Sequence, residues 1–168
     1  NAALDIIKEF SVVLPCAVAV KHANPCGIGF GDTLTDAYSE AWEADPVSIF
    51  GGIVAVNREV DAETAIKMNE IFLEMIIAPA YTEEALTLLR AKKNLRLLEL
   101  PALQNQHHYG MLDMKKVSGG LLVQELDIEA YNENDLRTVT KRAPNKRELA
   151  QLMLAWRCVK HVKSNAIV

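Results

Sequence analysis

The strongest constraint on the fold is the stretch Pro15-Cys16-Ala17-Val18-Ala19-Val20, which runs straight into Lys21-His22-Ala23-Asn24-Pro25-Cys26-Gly27. Small and β-branched residues without a charge have the composition of a strand covered on both faces. Such a strand needs a helical layer above and below it, which argues for an α/β fold. Asn24-Pro25 biases the chain towards extended geometry, and Gly27 is expected to close a turn. Lys21 and His22 then stand where a core strand ends, the usual place for chemistry in an open α/β sheet. On spacing alone the other reading stays open: Lys21 as a solvated strand end and His22 as a structural histidine.

Ala3, Leu4, Ile7 and Phe10 recur at helical spacing and predict an amphipathic helix over residues 2–11. Gly27, Gly29 and Gly31 lack the offsets of a dinucleotide-binding loop and read as turn glycines. Thr33 and Asp36 form a capping box that opens a helix reaching Ala44, with Leu34, Ala37, Ala41 and Trp42 inward. Asp45-Pro46 stops it. Residues 48–56 are expected as the second core strand, interrupted by Gly51 and Gly52. Either a bulge or a close backbone approach to a ligand would explain those glycines.

A helix is predicted over residues 61–73, with Ala65, Met68, Ile71 and Phe72 on its apolar side. A third strand follows over 74–79 with Glu74 at its start, then a helix over 82–91 and a strand over 95–98. This alternation predicts a substantially parallel sheet between helices. After Pro101 the periodicity is lost as far as Met114, and the adjacent pair His107-His108 offers no metal-ligand spacing. Residues 119–124 read as a strand crossing between lobes, 127–135 as acidic surface and 138–140 as a short strand. Asn145 caps the strongest helix, over 145–162, where Leu149, Leu152, Met153, Trp156, Val159 and Lys160 keep helical spacing. Residues 164–168 begin a strand.

The 168 residues are 50% hydrophobic and 24% charged with a net charge of −4, so bulk charge supports neither nucleic-acid nor anionic-membrane binding. No apolar run approaches the roughly 20 residues of a membrane span. Cys16, Cys26 and Cys158 have no C-x-x-C spacing, which predicts free thiols and a cytoplasmic setting. The opening Asn1-Ala2-Ala3 has no initiator methionine and no signal layout, and with a strand at the other end the chain reads as a segment of a longer protein.

Four blocks in order then resemble one family: KHANPCG at 21–27, DPVSIFGGIVA at 45–55, IIAPAY at 76–81 and VKHVKSNAIV at 159–168. They are similar to the transformylase domain of the bifunctional purine-biosynthesis enzymes that join AICAR formyltransferase to IMP cyclohydrolase. The resemblance implies a cytidine deaminase-like α/β fold of two similar lobes. Residues 1–113 would form the first lobe, and residues 114–168 the crossover and truncated start of the second. It also implies formyl transfer from 10-formyltetrahydrofolate, the co-substrate, to the 5-amine of AICAR, giving FAICAR in IMP biosynthesis. A homodimer is expected for the whole enzyme, and no turnover for the fragment alone.

The amine of AICAR is a weak nucleophile, because its lone pair is delocalised. The reaction needs a base that works near neutrality, and histidine, with a reference pKa of about 6.5, suits the part. It also needs a cation where negative charge develops. The resemblance gives the first role to His22 and the second to Lys21. It makes His22, Gly51, Glu74 and Asn165 contacts of AICAR, although some relatives carry Asp where Glu74 stands. Phe50 lies beside the heterocycle or in the core; Asn24 orients His22 or holds the turn. Consecutive strand residues face opposite ways, so Lys21 and His22 can meet one substrate only if strand geometry is lost by Asn24-Pro25. A zinc deaminase, a rival of the same fold, needs H-x-E and P-C-x-x-C, and neither is present, so no zinc is expected. A non-catalytic nucleotide-binding or assembly module is the other alternative.

Overall fold

The computed structural model describes residues 1–10, 14–104, 112–127 and 133–167. Its elements run α1 (Ala2–Lys8), β1 (Cys16–Lys21), β2 (Asn24–Phe30), α2 (Leu34–Ala44), β3 (Ile53–Val56), α3 (Ala62–Met68), β4 (Met75–Ala78), α4 (Glu83–Arg90), β5 (Arg96–Glu99), β6 (Leu112–Val117), β7 (Gly120–Glu125) and α5 (Lys146–Val159). The first five strands make one sheet in the order β2-β1-β3-β4-β5.

Both faces of that sheet are covered, as the uncharged β1 run demands. Ala17 and Ala19 of β1 join Val54, Val56, Ile76 and Ala78 against Ala37 and Ala41 of α2, Ala65 of α3 and Ala85 of α4. The alternate residues Cys16, Val18 and Val20 join Ala55 and Ile77 against Ile6, Ile7 and Phe10. Leu154 and Cys158 of α5 pack on this second face. Buried Asn57 ties the second layer down: its amide accepts from Cys16 N at 2.8 Å and donates to Phe10 O at 2.7 Å and Leu14 O at 3.0 Å. A buried amide must satisfy its polar atoms, and here it does so by joining three chain segments.

The sheet is mixed rather than substantially parallel. β1 runs antiparallel to both β2 and β3, and only β3, β4 and β5 are mutually parallel. The expected turn at Gly27 is instead strand β2. Its glycines recur every second residue on the face that meets α2, where a methyl at Gly27 would collide with the backbone of Ala41 and one at Gly29 with that of Ala37. Pro25 is tolerated there because β2 is an edge strand.

Four further expectations change. Residues 48–51 form a turn, and the second core strand begins only at Ile53. The helix predicted over 61–73 ends at Met68, so Ile71 and Phe72 lie in the loop that follows. The strand expected over 119–124 is present as β7, which pairs with β6 in a separate hairpin. Residues 138–140 and 164–167 are not strands. His107 and His108 lie outside the described residues.

Candidate active site

In the β1–β2 hairpin Lys21 pairs with Asn24, so His22 and Ala23 are the whole loop. Both have positive φ, 54° at His22 and 60° at Ala23. Two consecutive positive values mark a type I′ turn, whose twist suits a two-residue hairpin and which ordinarily selects Asn-Gly. A histidine and an alanine held there cost on the order of 1 kcal/mol each. The backbone therefore leaves strand geometry at His22, earlier than Asn24-Pro25, and strict alternation no longer separates Lys21 from His22. The His22 side chain is exposed.

Because β1 is antiparallel to β3, its carboxyl end lies at the amino edge of the parallel strands, not at the carboxyl edge that is usual in such sheets. The same edge carries the other candidates. Lys21 Nζ donates to Phe50 O at 2.7 Å. Gly51 has φ of 70°, a conformation that favours glycine, and its N–H donates to Phe72 O at 2.8 Å. The Phe50 and Phe72 rings stand 5.8 Å apart, and Phe50 is 58% exposed, which removes it from the core. Glu74 N donates to Gly52 O at 3.0 Å, and Arg96 N to Glu74 O at 3.1 Å. The Arg96 guanidinium meets the Glu74 carboxylate at 3.1 Å. Phe72, Glu74, Lys93, Asn94 and Arg96 line a cleft of about 330 Å³.

Asn24 Oδ1 accepts the backbone N–H of Lys163 at 3.1 Å. That bond brings the segment after α5 to the hairpin, and Asn165 follows two residues later, exposed. Upstream, Lys160 Nζ reaches Glu9 Oε1 at 2.8 Å and His161 Nε2 reaches it at 3.2 Å. Burial pushes the Glu9 carboxyl up, but hydrogen bonds from His161 and Lys160, with their charges, outweigh it and hold the group at about 2.

Cys26 Sγ lies 3.5 Å from Ala19 O, and burial pushes its thiol up, which suits a packed side chain. Among the described residues no group of three or more His, Cys, Asp or Glu converges as a metal site would. Phe72, Lys93 and Arg96, which line the cleft, and Lys163, which meets Asn24, are not among the site residues expected from sequence. Phe72 belongs to the loop beyond α3, and Arg96 opens β5 opposite Met75, one residue past Glu74.

These features define an α/β domain with a Lys–His hairpin and a polar, aromatic-rimmed cleft along one sheet edge. A family model described as the AICARFT/IMPCHase bienzyme matches residues 1–168, and the chain belongs to that family. It is 56% identical over 168 residues to the bifunctional purine biosynthesis protein PurH of Halalkalibacterium halodurans, covering 100% of this chain and 32% of that protein. It is 51% identical over 167 residues to PurH of Ruminiclostridium cellulolyticum, covering 99% and 32%. For PurH of Lysinibacillus sphaericus the identity is 56% over 168 residues, covering 100% and 32%. The chain thus spans about a third of the length of these relatives.

Proposed function

We propose that this chain supplies the Lys–His part of a transformylase site that moves a formyl group from 10-formyltetrahydrofolate to the 5-amine of AICAR, yielding FAICAR for IMP biosynthesis. The observation that carries the reading is the line of Lys21, His22, Phe50, Gly51 and Glu74 along one sheet edge, in a chain of this family. The new bond joins the amine to the formyl carbon; the bond from that carbon to the folate nitrogen breaks. His22, exposed on its strained turn, takes the proton the amine loses. An ammonium has three N–H donors, and Lys21 commits one to Phe50 O, leaving two for the developing oxyanion or the leaving nitrogen. The exposed Phe50 ring offers a face to the heterocycle, and Gly51 lets the backbone approach. Glu74 and Asn165 bind polar groups of AICAR.

In the same reading residues 1–113 are a cytidine deaminase-like lobe, and residues 114–168 begin a second. The remaining substrate contacts and most of the folate site lie on other parts of a homodimeric, zinc-free cytoplasmic enzyme, and this chain alone does not turn over. The test is a chimera in which this segment replaces its counterpart in the Halalkalibacterium halodurans relative. His22→Ala should lower turnover by about 10²–10⁴ while AICAR affinity stays within about tenfold. Equal losses of affinity and turnover would make His22 a ligand-holder instead. A wild-type chimera that binds AICAR without turnover would favour a non-catalytic module.

A further inference from the structure

Glu9 takes no part in the chemistry above, yet its carboxylate is partly buried and meets two basic side chains. It sits at the C-cap of α1, where the helix dipole disfavours negative charge. Placing an acid there is unfavourable unless polar partners come to meet it. They come from the far end of the sequence. Lys160 and His161, separated from Glu9 by 151 and 152 residues, both reach the same oxygen, at 2.8 and 3.2 Å. Their side chains are only 15% and 16% exposed, and that of Glu9 is 25% exposed, so water screens these contacts poorly.

The position of this cluster gives it a purpose. Lys160 is the C-cap of α5, and His161 and Val162 close the turn beyond it. Lys163 comes next, and its N–H is the group that Asn24 accepts beside Lys21 and His22. Between α5 and the end of the described chain, the segment is thus fixed at two points, Glu9 and Asn24. Asn165 lies just past the second. One exposed backbone bond to an asparagine is weak by itself. A partly buried, doubly hydrogen-bonded carboxylate is a firmer anchor.

We propose that Glu9 is a positioning residue: by clamping Lys160 and His161 it holds residues 163–165 against the Lys21–His22 hairpin and so sets where Asn165 meets the substrate. The proposal rests on the transformylase reading for the identity of that substrate. The clamp itself concerns only this chain's residues. Its effect belongs on substrate binding, because Asn165 is a binding group and no proton or bond moves through Glu9.

The experiment uses the full-length chimera and two readouts: hydrogen exchange at the Lys163 amide, and KM for AICAR alongside kcat. Glu9→Ala should speed exchange at Lys163 by at least about tenfold. It should raise KM by about tenfold and change kcat by less than about threefold. Lys160→Met should give the same pattern with Glu9 in place, which guards against a fold-wide effect of the first variant. The paired reversal Glu9→Lys with Lys160→Glu should restore both readouts, as loss of packing would not. Unchanged Lys163 exchange in Glu9→Ala overturns the clamp, as does a risen KM with Lys163 protection intact. Failure of the transformylase reading shows elsewhere, as a wild-type chimera without turnover, and exchange at Lys163 then still decides the clamp.

Discussion

His22 and Ala23 occupy a backbone region that L-residues avoid, and they do so together in a loop of only two residues. The two positions separate strain from chemistry. Ala23→Gly relieves the left-handed strain at a residue with no proposed chemical task, and should raise the unfolding free energy by about 0.5–1 kcal/mol, part of the gain being lost to the freer unfolded chain. His22→Gly should gain a similar amount and abolish turnover in the chimera. Urea denaturation of the 168-residue chain and a formyl-transfer assay read the two effects; a destabilised Ala23→Gly chain would show that the turn is not strained. The identities of Lys21 and His22 were legible in the sequence, but their geometry was not. A type I′ hairpin announces itself by Asn-Gly, and a His-Ala pair contradicts that preference. Such a local rule is broken where surrounding strands impose the turn, and often where function needs it.

At the scale of elements, the glycines of β2 carry the clearest consequence. Gly27 and Gly29 face α2 so closely that a methyl on either would overlap backbone atoms of Ala41 or Ala37, which cannot swing aside as a long side chain could. Gly29→Ala should therefore cost about 3 kcal/mol, the upper range for overpacking, by prising α2 from the sheet. Urea denaturation followed by circular dichroism measures it, and a cost below about 1 kcal/mol would mean that helix and strand are not in contact as described. The signal was present in the sequence: glycines at period two are one face of a strand, and Ala37 and Ala41 are small residues one helical turn apart. Read as turn residues, they hid β2 and, with it, the antiparallel half of the sheet. The helices were easier. Thr33 and Asn145 stand in reciprocal capping boxes, with Asp36 and Glu148 as partners, and each opens its helix as expected. Local chemistry wrote those boundaries; the course of the sheet depends on which strands meet, which no short window contains.

At the scale of the whole molecule, Glu9 is linked across 151 and 152 residues to Lys160 and His161, and pH is the means to weigh that link. Lys160 had appeared on the packed side of the last helix, and a lysine in that register was itself a sign of a partner, though nothing local could say which of the carboxylates it met. The groups facing Glu9 are Lys160 and His161, and Asp127 shares Lys160 from 3.9 Å. Glu9 falls from 4.5 to about 2 on folding, so the folded state favours the carboxylate. A depressed acid contributes stability that is present above its unfolded value, about 4.5, and is lost as pH falls towards its folded value, about 2. At 1.36 kcal/mol per unit, the ionised group contributes about 3 kcal/mol at pH 7, and about 2 kcal/mol of this is lost between pH 5 and pH 3. Other carboxylates titrate in the same window, so the measurement is a difference. The unfolding free energies of the wild type and Glu9→Gln, taken by urea denaturation at pH 5 and pH 3, should draw closer by about 2 kcal/mol as the solution is acidified. Parallel pH profiles for the two chains would mean that Glu9 is not held ionised against Lys160 and His161, and that the apolar contacts of Leu154 and Cys158 do more than this ion pair to keep the last helix in place.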